Sequence, residues 1–149
     1  MNYYVNIHSD TSEFFEGNKL ILKVIFGRFY LNKNKILGVD NKELLVFKTF
    51  NFFFKKNIKI LDQNLDKTLS VKRNSLVINN NILSIKEKFN ILGKYEAICL
   101  LNNKKIGSIK DESTFFMNKY VLVFDREDEY NYYFLLLFAM LSVGFADPA

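Results

Sequence analysis

Several residue types that often carry chemistry are almost missing from this sequence. His8 is the only histidine and Cys99 the only cysteine. One histidine cannot form a His-based triad with its partners or a cluster of histidine metal ligands, and one cysteine cannot form an internal disulfide. We interpret His8 as a surface residue and Cys99, which has no CxxC context, as an inert core thiol. The sequence therefore predicts no catalytic residue, no metal ligand and no cofactor.

Residues typical of linkers and of secretion signals are also scarce. One proline and six glycines among 149 residues leave no Pro- or Gly-rich boundary, so residues 1–149 are expected to form a single domain. The hydrophobic share of 49% and the charged share of 25% are those of a globular chain. The opening segment MNYYVNIHSD has neither a basic nor an apolar signal region. We expect a cytoplasmic protein, and we assume a monomer.

Positive charge is in excess, but only in the body of the chain. Residues 1–124 carry twenty Lys or Arg against eleven Asp or Glu, a net of +9. Residues 125–149 carry one Arg against five acids, a net of −4, which gives +5 for the whole chain. A basic body favours an anionic partner such as phospholipid headgroups, nucleic acid or an acidic protein. Solubility alone, or a compositional bias towards Asn, Lys, Ile and Phe, accounts for the same excess.

One stretch has no charge at all, and the rest of the chain is organised around it. Tyr130 to Ala146 reads YNYYFLLLFAMLSVGFA, which is too long for one strand and rich in helix formers. Asp125 or Asp128 is expected to cap the start of the helix. Gly144 and Pro148 are expected to end it. The predicted helix covers about residues 128–146, and its core-forming side chains are Leu135, Leu136, Leu137, Phe138, Met140 and Leu141.

A helix that is apolar on every side belongs in a protein core or in a membrane. The fifteen residues from Tyr132 to Ala146 at 1.5 Å each span roughly 22 Å, which is shorter than the roughly 30 Å hydrocarbon layer of a bilayer. The core is therefore the preferred interpretation. The alternative is a small membrane-anchored protein that uses residues 130–146 as a short transmembrane tail, with the adjoining tyrosines at the interface.

The chain before this helix has the pattern of a β-protein. Short apolar runs recur every eight to twelve residues between Asn, Asp, Gly and Lys clusters, the spacing of a sandwich or barrel. Ser9–Ser12 is read as a polar turn. The predicted strands are Tyr3–Ile7, Leu20–Phe26, Arg28–Leu31, Ile36–Val39, Leu44–Phe47, Phe50–Phe54, Ile58–Leu61, Thr68–Val71, Leu76–Ile78, Ile82–Ile85, Phe89–Leu92, Tyr95–Leu101, Ile106–Ile109, Phe115–Met117 and Tyr120–Phe124.

Two segments of this β-region match each other without a gap. VDNKELLVFKTFNFFFKKNIKIL, residues 39–61, aligns with LNNKKIGSIKDESTFFMNKYVLV, residues 101–123, at a constant offset of 62. Both contain a turn with Asn-Lys, a strand ending in Lys, a Phe-Phe pair and a further strand. We interpret the match as a duplication, with repeat halves at about 19–62 and 81–124. Two such halves can close into an antiparallel barrel that surrounds the helix and leaves no open edge.

These features together resemble the tubby C-terminal-like superfamily, which includes tubby proteins, phospholipid scramblases and plant LURP-one-related proteins. The resemblance is best in KYEAICLLNNKKIGSIK and FFMNKYVLVFDREDEYNYYFLLLFAML and weaker before Ile36. The pattern is most similar to that of the small bacterial members. The resemblance implies a twelve-stranded antiparallel barrel around a central hydrophobic helix and implies no catalytic residues. By analogy with the eukaryotic members, the resemblance implies phosphoinositides or lipid bilayers as the binding partner.

Aromatic and basic residues give two candidate surfaces. Phe50, Phe52 and Phe54 alternate along one strand face, most simply the core; the alternative is a base-stacking platform beside Lys55 and Lys56 that would bind single-stranded nucleic acid. A patch facing anionic headgroups is the second candidate, although solvated hairpin tips explain the same residues. Its members are Lys55, Lys56, Lys59, Lys104, Lys105 and Lys119.

The sequence thus predicts a non-enzymatic tubby-like module for binding or regulation. Its expected partner is an anionic phospholipid surface, at which it would associate peripherally, or an unidentified protein. A membrane tail at 130–146 is the first alternative, and a nucleic-acid-binding barrel is the second.

Overall fold

Twelve β-strands and one α-helix make up the chain in a computed structural model, which describes residues 1–27, 33–52 and 55–145. The side chains of residues 51, 52, 55 and 89 are not described. The predicted strand Arg28–Leu31 and the aromatic pair Phe53 and Phe54 lie outside the described residues, as do Ala146 and Pro148. The strands are β1 (Asn2–Ile7), β2 (Thr11–Glu16), β3 (Lys19–Ile25), β4 (Asn34–Leu37), β5 (Glu43–Phe52), β6 (Lys55–Gln63), β7 (Ser70–Lys72), β8 (Ser75–Ile78), β9 (Asn81–Phe89), β10 (Tyr95–Leu101), β11 (Lys104–Asp111) and β12 (Asn118–Phe124).

All twelve strands belong to one antiparallel sheet that curls into a nearly closed barrel. The strand order is β6-β5-β4-β3-β2-β1-β12-β11-β10-β9-β8-β7, so nearly every strand pairs with its sequence neighbours. The first and last strands pair over six residues, from Asn2 opposite Val123 to Ile7 opposite Asn118. The predicted fold class, a mainly β antiparallel barrel with one C-terminal helix at its core, is confirmed.

The barrel closes between β6 and β7 through side chains. The Gln63 side-chain amide donates to the Leu69 carbonyl oxygen at 2.9 Å, and its oxygen accepts from the Leu69 N–H at 2.7 Å. Near the other end of β6, the Asn74 side chain donates to the Lys56 carbonyl oxygen at 2.6 Å. Side-chain amides therefore take the place of backbone hydrogen bonds between β6 and β7. The space between these two contacts is a cleft of about 480 Å³.

The helix α1 (Tyr130–Leu141) occupies the centre of the barrel. Ten of its twelve residues are buried, and the six predicted core side chains from Leu135 to Leu141 are among them. The Phe138 ring contacts the rings of Tyr95 on β10, Tyr120 on β12 and Phe14 on β2. Burial of each large apolar side chain stabilises the fold by about 1.5–3 kcal/mol, and α1 supplies nine of the buried hydrophobic side chains, more than any single strand.

The helix is shorter than the sequence predicts. It ends at Leu141 instead of continuing to about residue 146, and the chain turns through residues 142–145 with Gly144 at a φ of +90°. At the start, the Asp128 carboxylate accepts a hydrogen bond from the Tyr130 N–H at 2.9 Å, the capping role proposed for it. No helix in the described part of the chain is long and apolar enough to cross a membrane.

Four sequence predictions about strands are wrong. Leu44–Phe47 and Phe50, expected in two strands, lie in the single strand β5. Thr11–Glu16 forms β2, although Ser9–Ser12 was expected to be a turn. Alternation explains this strand, since Ser12 and Phe14 are buried while Thr11, Glu13 and Phe15 are only partly buried. Ile82–Ile85 and Phe89 belong to the single strand β9, and residues 91–92 lie in the loop after it. Phe115–Met117 is also loop, joined across its base by a bridge between Thr114 and Met117.

The strands of the two predicted halves occur at corresponding positions. β3 to β6 and β9 to β12 are both four-stranded meanders whose strands start close to 62 residues apart. The tight turns also correspond: Asp40 and Asn41 have φ of 62° and 59°, and Asn102 and Asn103 have φ of 51° and 68°. The left-handed conformation is one that Asn tolerates well. Duplication itself stays a prediction.

Candidate functional site

The antiparallel meander divides the loops of the barrel between two ends. The C-terminus of α1 lies at one end with the connections after β1, β3, β5, β7, β9 and β11. The N-terminus of α1 lies at the other end with the connections after the even-numbered strands. We call the first the basic end and the second the acidic end, because their charges differ in sign.

The basic end carries a net charge of +5. The count takes the described side chains of its loops and of the two strand residues on either side of each loop. Four are acidic: Asp10, Glu96, Asp111 and Glu112. Nine are basic: Lys33, Lys35, Lys56, Lys72, Arg73, Lys88, Lys94, Lys110 and Lys119.

The acidic end carries a net charge of −3 by the same count. Six side chains are basic: Lys19, Lys42, Lys67, Lys104, Lys105 and Arg126. Nine are acidic: Glu16, Asp40, Glu43, Asp62, Asp66, Asp125, Glu127, Asp128 and Glu129. Some of these charges are paired: Lys67 Nζ lies 2.9 Å from Glu129 Oε2, and Glu43 Oε2 lies 3.5 Å from Lys35 Nζ, which the count assigns to the basic end. The chain therefore has a charge asymmetry along the barrel axis.

The basic end also presents the most exposed apolar side chains of the described chain. Ile91 and Leu92, in the β9–β10 loop, are 104% and 82% exposed. Phe115 and Phe116, in the β11–β12 loop, are 95% and 92% exposed and stack edge to face with ring centroids 5.1 Å apart. We call these two pairs the apolar tips. Turns at the acidic end are instead tipped by Asn residues such as Asn79–Asn80 and Asn102–Asn103.

Lys56 lies at the mouth of the barrel, where it holds the end of the helix. Its ammonium group donates to the Leu141 carbonyl oxygen at 3.0 Å and to that of Val143, and it lies 5.5 Å from the centroid of the Phe145 ring. A cation beside the negative end of a helix dipole is stabilising. A cleft of about 750 Å³ opens beside it, lined in part by Arg73, Ser75 and Glu87.

The six lysines of the predicted anionic-surface patch do not share one surface. Lys56 and Lys119 lie at the basic end, as does the backbone of Lys55, whose side chain is outside the described residues. Lys59 is exposed on the wall of the barrel in the middle of β6. Lys104 and Lys105 are exposed at the acidic end, beside Asp125 and Asp128.

Lys119 has a specific neighbour at the basic end. Its ammonium group lies 5.2 Å from the centroid of the Tyr4 ring on the adjacent strand β1. A cation over an aromatic face is attracted by the ring and keeps its charge at the surface. Lys119 and Lys56 thus face different neighbours at the same end of the barrel.

Phe50, the described side chain of the predicted aromatic face on β5, does not lie in the core. Phe50 is exposed, while Phe52 has an undescribed side chain and Phe54 lies outside the described residues. The buried part of β5 is earlier, at Leu45 to Phe47. Alternation fails as a guide here because β5 extends beyond the barrel core towards the basic end.

The two residues singled out for their scarcity lie where the sequence placed them. His8 is exposed, with Nε2 3.3 Å from Glu13 Oε1. Cys99 is buried, and burial raises the pKa of its thiol to about 12. A thiol held in its neutral form is a poor nucleophile. Burial also raises the pKa of the Tyr95 hydroxyl and that of the Glu87 carboxyl, which lies near it.

Comparisons with known proteins add no assignment. No family model, no curated protein and no solved structure gives a significant match to this chain. Among the described residues, no three His, Cys, Asp or Glu side chains come together in a group that could hold a metal ion. The basic end with its apolar tips is therefore the candidate functional surface.

The sequence contained part of the signal for this surface. The pairs Ile91–Leu92 and Phe115–Phe116 were visible as apolar runs, but apolar runs usually mean buried strands. Their flanking residues, Asn90, Gly93 and Ser113, are typical of loops and were the available clue. The separation of charge between two barrel ends depends on strand topology and was not visible in the sequence.

Proposed function

We propose that the protein is a non-enzymatic binding module of the tubby-like type that associates peripherally with anionic phospholipid surfaces through its basic end. The observation that carries the proposal is the charge asymmetry, +5 at the basic end against −3 at the acidic end. Each Lys or Arg near an anionic membrane contributes about 1 kcal/mol to binding. The net charge of the basic end is therefore sufficient for reversible association.

The two ends act as separate electrostatic surfaces. Strands of about seven residues at 3.3 Å per residue keep the ends roughly 20 Å apart. This distance exceeds the Debye length of about 8 Å at physiological ionic strength. The acidic end is thus screened from a membrane that the basic end approaches, and the module docks in one orientation.

Sedimentation with vesicles tests the proposal. The full chain should pellet with vesicles of phosphatidylserine and phosphatidylcholine, should remain in the supernatant with phosphatidylcholine alone, and should be released by salt. Binding that does not depend on phosphatidylserine would contradict the phospholipid proposal.

Two triple variants with the same net charge locate the binding surface. Lys72→Glu/Lys94→Glu/Lys110→Glu reverses three exposed lysines at the basic end, and Lys42→Glu/Lys104→Glu/Lys105→Glu reverses three at the acidic end. The first should weaken vesicle binding by about 100-fold or more, since three contributions of about 1 kcal/mol are lost. The second should retain most of the binding. Equal loss in both would mean that only net charge matters.

A further inference from the structure

The apolar tips are ordered structures that hold their side chains outwards. In the β9–β10 loop, the Asn90 side-chain oxygen accepts from the N–H groups of Leu92 and Lys94 at 2.9 and 3.0 Å. In the β11–β12 loop, the Ser113 hydroxyl accepts from the Lys119 N–H at 3.0 Å. Each loop is therefore closed by its own polar residues while its large apolar side chains remain in solvent.

The two tips lie on neighbouring hairpins and face the same direction. β9, β10, β11 and β12 are consecutive in the sheet, so the two loops are two strand spacings apart, or roughly 10 Å. Exposed apolar groups of this size cost free energy in water and mark sites that contact a protein or a membrane. The tips thus form one continuous candidate contact region.

Basic side chains stand directly behind the tips. Lys94 follows Ile91–Leu92 by two residues, while Lys110 and Lys119 flank the β11–β12 loop together with Asp111 and Glu112. Exposed apolar residues in front of a layer of lysines match the order of groups in an anionic bilayer, where the acyl region lies beneath negatively charged headgroups. Lysine stems can extend along the apolar surface while their ammonium groups stay among the headgroups.

We propose that the Ile91–Leu92 and Phe115–Phe116 tips insert into the interfacial region of an anionic phospholipid bilayer. The inference rests on the proposed function and adds the depth and orientation of the bound state. A bilayer fits better than a folded protein, because the tips are convex and almost fully exposed. A protein partner would bind such residues through matching pockets over an area of roughly 800 Å² on each side. A fluid interface receives convex tips without that match.

A single tryptophan reporter tests the insertion directly. The sequence contains no tryptophan, so Phe116→Trp places one fluorophore at a tip, and Val39→Trp places one at the exposed surface of the acidic end. With phosphatidylserine–phosphatidylcholine vesicles, Phe116→Trp should show a blue shift and quenching by brominated acyl chains. Val39→Trp should show neither.

A pair of serine variants measures how much the tips contribute. Phe115→Ser/Phe116→Ser should weaken binding to the same vesicles by about tenfold or more, because two apolar side chains no longer leave water. The control Val39→Ser/Ile82→Ser removes exposed apolar residues at the acidic end and should bind as the parent does. Circular dichroism checks that both variants keep the parent fold.

The outcomes separate the two proposals. If the protein pellets with anionic vesicles but Phe116→Trp shows no blue shift and no quenching, insertion is wrong and electrostatic association stands. If the tip variants bind as tightly as the control, the tips do not contribute and the inference is again overturned. If no anionic vesicle binds the protein, both the inference and the proposed function fail.

Discussion

Lys56 is the residue whose position says most about how the barrel holds its helix. Its ammonium group donates to the carbonyl oxygen of Leu141, the last residue of α1, from a strand 85 residues earlier in the chain. Lys56→Met keeps most of the aliphatic stem and removes the charge. We expect the free energy of unfolding to fall by about 1–2 kcal/mol, since a partly buried cation at a helix C-terminus is lost.

Lys59→Met is the matched control on the same strand. Lys59 is exposed in the middle of β6, so this variant should change the free energy of unfolding by less than about 0.5 kcal/mol. Urea denaturation of the two variants measures the difference. Equal stability would show that the contact with the helix end contributes nothing.

Cys99 gives a prediction that depends on pH. Burial raises the pKa of its thiol to about 12, whereas an unfolded thiol ionises near pH 8.5. In the folded protein at pH 8 the buried thiol therefore stays almost entirely neutral, so a disulfide reagent should label Cys99 slowly until urea unfolds the chain. Rapid labelling of the native protein would contradict its burial.

The sign of the stability change follows from the same two values. Between about pH 8.5 and 12 the unfolded chain loses the thiol proton while the folded chain keeps it. Rising pH therefore favours unfolding across this window, and Cys99→Ala should remove that contribution. Denaturation at pH 8 and pH 10 compares the two proteins.

At the scale of single residues, the sequence predicts burial better than it predicts partners. The core side chains of α1 and the inert thiol of Cys99 follow from apolar surroundings alone. The contact of Lys56 with the helix end does not, because it depends on two segments far apart in sequence. Lys56 and Lys59 look alike in the sequence, and only the folded barrel shows that Lys56 contacts the helix end.

The helix is the element on which the fold depends. Leu137 is fully buried at its centre. Leu137→Asp should prevent folding, because an unpaired carboxylate would be buried at a cost of several kcal/mol. Leu137→Met conserves volume and polarity and should cost less than about 1.5 kcal/mol. Circular dichroism and urea denaturation check both variants, and a cooperatively folded Leu137→Asp protein would contradict the assignment of α1 as the core.

Element prediction from the sequence succeeded where the pattern had one interpretation. A long run without charge predicted the helix, and alternating runs between Asn-rich turns predicted most strands. The errors fell on Thr11–Glu16, where polar residues separate the buried positions, and on the apolar tips. Hydrophobic pattern cannot distinguish apolar residues that the fold buries from apolar residues that it leaves exposed.

At the scale of the whole molecule, the helix is shared by both halves of the barrel. Lys56 of β6 binds the Leu141 carbonyl oxygen, and Tyr120 of β12 packs on Phe138. A fragment covering residues 1–124 lacks this core and should lose cooperative unfolding and bind a hydrophobic dye. Addition of a peptide covering residues 125–149 should restore part of the native signal. Cooperative unfolding of the fragment alone would show that the barrel is stable without α1.

The pairing of the first strand with the last also limits when the chain can fold during synthesis. β1 pairs with β12, and the Met1 amino group donates to the Phe124 carbonyl oxygen at 3.2 Å. A ribosome therefore delivers the first strand long before its partner, and it delivers the central helix later still. Until residues 130–141 leave the exit tunnel, the emerging strands have no core to fold on and expose unpaired edges. For this chain, productive folding has to wait until the central helix has been synthesised.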